Sequence, residues 1–206
     1  MKALLISLLS LSLSLLISSS VAATSPSTAV LDVKGKPLIV GSNYFAFPVI
    51  RGSGGGVYPA NIKQNNTHCP QDIIQEATED KGIPVMLTPV NAKDGDVVPL
   101  STDLNVRFYT PTTCAKEMVW KLDAYDQLSN QTFVKTGGAI GNPGINTLSS
   151  WFKIDKFDND YKFVFCPSVC STCRVICRDV GIFVNKGVRF LVLSDVPFKV
   201  QFEKTF

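Results

Sequence analysis

Short runs rich in aromatic and β-branched residues recur along the chain, and helical periodicity is almost absent. Clear examples are residues 43–50 (NYFAFPVI), 104–108 (LNVRF) and 161–165 (YKFVF). Near the C-terminus, residues 198–202 (FKVQF) alternate between apolar and polar, which is typical of a strand with one buried and one solvent-facing side. The pattern therefore predicts many short β-strands.

Segments with strong turn chemistry separate these runs, because glycine, proline, asparagine and aspartate supply the backbone conformations that tight turns require. These segments are residues 52–56 (GSGGG), 94–96 (DGD), 137–138 (GG), 141–144 (GNPG) and 158–160 (DND). We expect the glycine-rich run at 52–56 to be a mobile hairpin tip. Many short strands joined by frequent turns predict an all-β fold, either a sandwich or a barrel-like architecture.

The N-terminus has the pattern of a secretory signal peptide over residues 1–23. Met1 and Lys2 precede an apolar run rich in leucine and serine, and small residues close the segment at Ala22 and Ala23. A transmembrane anchor is the competing interpretation, but the run is too short and too rich in serine to span about 30 Å of hydrocarbon. Cleavage would leave residues 24–206 as one domain, secreted to the extracellular space or apoplast, with the vacuole as an alternative destination.

The charge balance excludes partners that require a strongly charged surface. Loss of Lys2 with the signal peptide leaves 19 basic against 17 acidic side chains, a net charge of about +2 with no block of like charge. Neither nucleic acid nor a membrane is therefore expected as a partner.

An even number of cysteines in a secreted chain predicts three disulfides. The cysteines are Cys69, Cys114, Cys166, Cys170, Cys173 and Cys177. Their number alone allows about 15 pairings. The spacing of the last four resembles that of zinc or iron–sulfur ligands, but an oxidising compartment favours nested disulfides, so neither metal nor cofactor is expected.

The residues required for hydrolytic catalysis are missing. Serine and cysteine hydrolases need a histidine base, and the chain has only His68, next to Cys69. No Gly-x-Ser-x-Gly, phosphate-loop or zinc-protease motif occurs. The sequence therefore predicts a protein that is not an enzyme. Two sequons, at Asn65 and Asn130, are candidate N-glycosylation sites in turn-like segments.

Several segments together resemble one protein family over essentially the whole mature chain. Residues 30–38 (VLDVKGKPL), followed by Tyr44, resemble the N-terminal signature of the plant Kunitz-type (soybean trypsin inhibitor type) protease inhibitors. Residues 141–144, 149–154, 161–167, 179–182 and 193–195 are similar to the miraculin-like branch of that family.

The resemblance implies a β-trefoil, in which three pseudo-repeats each contribute four strands. It also implies three disulfides, which join Cys69 to Cys114, Cys166 to Cys177, and Cys170 to Cys173. On the chain-entropy model the first bridge would contribute about 4 kcal/mol to stability and the second about 3 kcal/mol.

The resemblance further implies an exposed reactive loop after the first cysteine, which a serine protease binds like a substrate and cleaves very slowly. This loop is formed by Gln75, Glu76, Ala77, Thr78, Glu79, Asp80 and Lys81. Ala77 aligns with the anchor residue, where trypsin inhibitors carry Arg or Lys, and the acidic neighbours oppose a negatively charged pocket. Strong trypsin inhibition is therefore not expected, whereas the small, apolar pocket of an elastase-like or subtilisin-like enzyme suits alanine.

Two alternatives for this segment stay open. In one, Lys81 is the anchor, although Gly82 is expected to loosen the chain behind it. In the other, the segment is an ordinary acidic surface loop that has no target.

Our main functional hypothesis is a secreted, monomeric plant defence protein that inhibits a protease, either a serine protease or a cysteine protease. The second is a miraculin-like stress, storage or binding protein that lacks this inhibitory mechanism, or that inhibits cysteine or aspartic proteases by another surface. Carbohydrate binding is a third, but a fold alone does not establish it.

Overall fold

The computed structural model describes residues 28–62, 69–110, 113–114 and 118–206. The expected signal peptide, the sequon at Asn65 and the lone His68 lie outside these residues. In the described part, no helix is long and apolar enough to cross a membrane.

The described residues form twelve β-strands and a 3₁₀ helix at Ile145–Ser150. The strands are β1 (Asn43–Pro48), β2 (Val57–Ala60), β3 (Asp72–Gln75), β4 (Val85–Pro89), β5 (Leu104–Phe108), β6 (Lys121–Asp126), β7 (Gln131–Lys135), β8 (Lys153–Phe157), β9 (Asp160–Phe165), β10 (Arg178–Asn185), β11 (Val188–Ser194) and β12 (Val200–Lys204).

Six of these strands form a closed antiparallel barrel. Strand β1 pairs with β12 and β4, β4 pairs with β5, and β9 pairs with β8 and β12. The ring closes where Leu104 at the start of β5 bridges Phe152, just before β8. Closure leaves the barrel without unpaired strand edges.

The other six strands form three hairpins that cap one end of the barrel. The hairpins are β2–β3, β6–β7 and β10–β11, and their second strands β3, β7 and β11 pair with one another. Each set of four consecutive strands therefore contributes two strands to the barrel and one hairpin to the cap. This arrangement is a β-trefoil, and it confirms the all-β prediction and the fold that the family resemblance implies.

Aromatic side chains fill the barrel. Trp120 is fully buried and packs against Phe108, Phe152 and Phe163, with ring centroids 5.7, 6.1 and 5.1 Å away. Phe163 in turn meets Phe202 edge-on at 5.8 Å. Large rings in tilted and edge-to-face pairs bury much apolar area per residue, which explains how short strands hold a stable core.

The predicted alternation at the C-terminus is confirmed. Phe198, Val200 and Phe202 are buried, whereas Lys199 and Gln201 are partly exposed. Strand β12 therefore supplies one wall of the barrel and presents its other side to solvent.

Three disulfides tie the loops to this frame, and their pairs are those that the family resemblance implies. Cys69 joins Cys114 with a Cα–Cα distance of 5.6 Å, and Cys166 joins Cys177 at 4.3 Å. Cys170 and Cys173 form a third bridge inside the loop that the second one closes. Among the described residues, no group of three or more His, Cys, Asp or Glu side chains is placed to hold a metal ion.

Candidate functional site

The predicted reactive loop is the connection between β3 and β4. Its first residue, Gln75, ends β3 and is 2% exposed, so it belongs to the supporting frame rather than to the exposed loop. The Gln75 amide nitrogen donates to the Ser53 carbonyl at 2.9 Å, and its amide oxygen accepts from Arg189 Nε at 2.8 Å. A buried side chain with both ends bonded fixes the position at which the loop leaves the sheet.

The glycine run that precedes β2 holds the loop along its backbone. Glu76 N donates to the Gly56 carbonyl at 2.9 Å, and Gly55 N donates to the Glu76 carbonyl at 2.8 Å. At the other end of the loop, Gly56 N donates to the Asp80 carbonyl at 2.7 Å. The loop is thus braced at both ends by the same short segment.

The expectation that this glycine run is a mobile hairpin tip is wrong for Gly55 and Gly56, whereas Gly52 is exposed in a turn. Gly55 and Gly56 are buried, and a Cβ atom at either position would overlap backbone atoms of Asp80 or Lys81. Glycine is therefore required here because two backbones approach closely, which no other residue allows.

Acidic side chains of the loop cap backbone N–H groups close to them. Ala77 N donates to Glu76 Oε1 at 2.8 Å, and Gly52 N donates to Glu79 Oε1 at 2.5 Å. These two glutamates therefore hold the loop in shape as well as supplying negative charge.

Asp80 ties the end of the loop to β2. Its Oδ1 accepts hydrogen bonds from the Tyr58 hydroxyl and from Gly82 N, both at 2.8 Å. The bond from Gly82 and the bond from Tyr58 lower the pKa of Asp80 from its ordinary value, in that order of importance. The same contact with Asp80, together with partial burial and the nearby charges, raises the pKa of Tyr58 to about 12.

Lys81 is held by the barrel instead of projecting freely. Its Nζ atom lies 2.5 Å from Glu203 Oε2 on β12 and 5.9 Å from the centre of the Phe47 ring. Gly82, expected to loosen the chain, is buried against the backbone of Val57. An anchor role for Lys81 would require this ion pair to break.

The exposed part of the loop is a short tip. Residues 77–81 are exposed, and Ala77, Thr78 and Glu79 lie between the two braced positions, where they present a methyl group, a hydroxyl group and a carboxylate to solvent. This tip is fixed in space before any partner arrives, which lowers the entropy lost on docking.

The sequence predicts the turn at residues 94–96 but assigns no function to the exposed loop around it, which connects β4 to β5. Lys93 lies on it, and the loop is shaped by bonds from Lys93 N to Asp96 Oδ2 at 2.8 Å and from Gly95 N to the Val40 carbonyl at 3.0 Å. Within the described residues, the Lys93 amine forms no ion pair. The turn-rich segment 91–96 (NAKDGD) was the signal for this loop, and its lysine has the charge that trypsin-like pockets bind.

The family model described as trypsin and protease inhibitor, Kunitz legume type, matches residues 30–204. The chain belongs to the plant Kunitz-type inhibitor family. It is therefore a protease inhibitor of the Kunitz type and not an enzyme.

Relatives of this Kunitz-type chain cover most of its length. Kunitz trypsin inhibitor 5 of Arabidopsis thaliana is 47% identical over 178 residues, which are 86% of each chain. Miraculin of Synsepalum dulcificum is 46% identical over 191 residues, 89% of this chain and 86% of miraculin. These two relatives place the chain in the miraculin-like branch.

Solved structures show the same fold. The Kunitz-type cysteine protease inhibitor PCPI-3 from potato superposes with a TM-score of 0.76 at 34% identity, covering 88% of this chain and 99% of the potato chain. Soybean trypsin inhibitor superposes with a TM-score of 0.65 at 28% identity, covering 86% and 99% of the two chains.

Proposed function

We propose that this protein is secreted through its N-terminal signal peptide and inhibits a serine protease as a monomer, with residues 76–81 as the contact loop. The observation that supports this most is the double brace, in which Gly55 and Gly56 hold the loop at Glu76 and Asp80. A loop fixed in this way can enter a protease cleft without first losing conformational freedom. If the protease cleaves a peptide bond in the loop, a rigid loop also keeps the two new chain ends together, so that the peptide bond can re-form.

The anchor in this proposal is Ala77, the exposed residue at the start of the tip. Its methyl group suits a small, apolar pocket such as those of elastase-like and subtilisin-like enzymes. Glu79 and Asp80 follow closely, so a protease with negative charge around its cleft would be repelled. Trypsin is accordingly a poor target for the wild-type protein, and defence against a foreign protease is the corresponding role in the plant.

A specific observation favours a second candidate, inhibition through another surface. Two of the loop's residues, Glu76 and Asp80, already use backbone groups in bonds to the glycine run. The Ala77 N–H is also bonded, to Glu76 Oε1, so part of the loop backbone that a substrate-like complex would pair with the protease is already engaged within the inhibitor. The potato relative is a cysteine protease inhibitor, so a cysteine protease is the target class for this candidate.

The experiment is a titration of the purified mature protein against trypsin, chymotrypsin, elastase, subtilisin and papain. Ala77→Asp places a charge on the proposed anchor, and Lys93→Ala removes the exposed lysine of the β4–β5 loop as the matched control. The proposal expects stoichiometric inhibition of elastase or subtilisin that Ala77→Asp abolishes and Lys93→Ala leaves unchanged.

The other outcomes separate the alternatives. Trypsin inhibition that is lost in Lys93→Ala would move the contact site to the β4–β5 loop. Inhibition of papain alone, unaffected by both variants, would contradict the serine-protease proposal and support the second candidate.

A further inference from the structure

The hairpin β6–β7 brings an aromatic ring and a sequon together. Tyr125 on β6 is the direct cross-strand partner of Thr132 on β7, and the chain between them turns through residues 127–130. Asp126 fixes this turn, because its carboxylate accepts from Leu128 N and from the Ser129 hydroxyl, both at 3.0 Å. Asn130, the first residue of the sequon Asn130–Gln131–Thr132, closes the turn.

The backbone at Asn130 is suited to its position. Its φ is 54°, in the left-handed region that asparagine tolerates better than most residues. The residue is exposed, so its side chain has access to solvent on the outside of the hairpin.

The Asn130 carboxamide is oriented by Tyr125. The tyrosine hydroxyl donates to Asn130 Oδ1 at 2.9 Å, and within the described residues no hydrogen bond involves Nδ2. An asparagine that carries a glycan keeps Oδ1 as an acceptor and is substituted only at Nδ2. The contact seen here is therefore compatible with the modified side chain.

We propose that Asn130 carries an N-linked glycan whose first sugar packs on the ring of Tyr125. In the attachment step, Nδ2 forms a bond to the anomeric carbon of a lipid-pyrophosphate-linked oligosaccharide. The bond from that carbon to the phosphate oxygen breaks, the lipid pyrophosphate leaves, and Nδ2 loses one proton. This inference goes beyond the inhibitory function and does not depend on it.

The hairpin has exposed apolar surface on which a sugar could pack. Tyr125, whose hydroxyl group contacts Asn130, is 58% exposed, and Leu128, in the same turn as Asn130, is 98% exposed. The face of a pyranose that carries C–H groups can pack on an aromatic ring, while its hydroxyl groups stay in water. A glycan anchored at Asn130 would shield the Tyr125 ring and would stabilise the hairpin.

The first experiment locates the modification. The full chain, with its own signal peptide, is expressed in plant leaf cells, and the secreted protein is treated with a peptide N-glycosidase that accepts plant glycans. We expect the peptide containing Asn130 to show conversion of asparagine to aspartate, and Asn130→Gln to lose the mass of one glycan. Asn65→Gln controls for the other sequon, and an Asn130 peptide that is always unmodified would overturn the proposal.

The second experiment tests the contact with Tyr125. Tm is measured for glycosylated and enzymatically deglycosylated protein, and we expect the glycan to raise Tm by about 2 °C, the size of a weak contact in a domain of this length. Tyr125→Ala should remove this increment. Tyr125→Phe should keep it, since the ring remains and only the hydroxyl group is lost.

A matched control comes from another exposed tyrosine. Tyr109 is 55% exposed and lies outside the hairpin, so Tyr109→Ala should leave the glycan-dependent increment unchanged. An increment that persists in Tyr125→Ala would show that the sugar does not rest on that ring and would overturn this part of the proposal.

Discussion

The Tyr58 hydroxyl donates a hydrogen bond of 2.8 Å to Asp80 Oδ1, which joins strand β2 to the end of the candidate reactive loop. The same oxygen accepts from Gly82 N, so one carboxylate closes the loop and attaches it to the barrel cap. The loop geometry therefore depends on the ionisation of both side chains.

The first prediction concerns the titration of Tyr58. Because the phenol donates a hydrogen bond to the Asp80 carboxylate, the pKa of Tyr58 is raised to about 12 from an ordinary value of 10.0. The folded state thus holds this proton more tightly than the unfolded state does. The resulting stabilisation is complete below pH 10 and is lost as the pH rises from 10 to about 12. Absorbance at 295 nm should show one tyrosine titrating near pH 12.

The assignment to the loop contact is checked with two variants. Tyr58→Phe should remove the transition near pH 12, and Asp80→Ala should move it towards pH 10. If Asp80→Ala leaves the transition near pH 12, the carboxylate is not its cause.

The second prediction concerns the glycine run. Gly56 has a φ outside the left-handed region, so only lack of space excludes a side chain there. Gly56→Ala should displace the loop, cost about 1–3 kcal/mol of stability as overpacking does, and expose residues 76–81 to proteolysis. Limited digestion with proteinase K, mapped by mass spectrometry, measures this.

Gly35→Ala is the control for backbone strain. Gly35 has a φ of 72° and nothing within 4 Å of the position of a Cβ atom. Its replacement should lower stability without new cleavage between residues 76 and 81. Equal cleavage in both variants would mean that Gly56 does not hold the loop.

The sequence predicts a strand well where the composition of the strand and the turns at its ends are enough to define it. Strand β5 occupies the predicted residues 104–108, because its composition and turn boundaries depend on nothing distant. Strand β1 ends at Pro48, two residues before the predicted boundary, because the chain bends into a turn over residues 49–53.

The site was less predictable because its contacts join distant segments. Nothing within GSGGG distinguishes a mobile tip from a segment packed against backbone, since that difference depends on Asp80 and Lys81, more than twenty residues later. The acidic residues of the loop were interpreted by charge alone, whereas Glu76, Glu79 and Asp80 also cap backbone N–H groups.

The third prediction concerns a buried ion pair beneath the loop that contains two of the disulfides. Asp103 is 5% exposed, lies 3.1 Å from Lys153 Nζ, and accepts from both the backbone N–H and the hydroxyl of Ser168. Asp103→Ala leaves Lys153 without its counter-charge and should lower the free energy of unfolding by about 3–5 kcal/mol. Urea denaturation measures this loss of unfolding free energy, and we expect the m-value to stay unchanged.

An exposed ion pair provides the comparison. Asp195 pairs with Arg178 at 2.9 Å, but its side chain is 89% exposed. Asp195→Ala should therefore cost less than about 1 kcal/mol. A similar loss of unfolding free energy in both variants would contradict the view that burial makes the Asp103–Lys153 pair the more stabilising of the two.

The fourth prediction concerns the identity of the anchor. If Ala77 occupies the pocket of a serine protease, Ala77→Arg supplies the positive charge that trypsin requires on a loop that is already ordered. Leu128→Arg adds the same charge at a 98% exposed position on the β6–β7 hairpin and controls for non-specific attraction.

The most direct test of the inhibitory loop is the inhibition constant of Ala77→Arg for trypsin, measured beside those of the wild type and Leu128→Arg. We predict that Ala77→Arg inhibits trypsin at least about 100-fold more strongly than either of the others, a gain of about 2.7 kcal/mol. Trypsin inhibition no stronger than that of the wild type, in a variant with unchanged Tm, would contradict the assignment of residues 76–81 as the protease-binding loop.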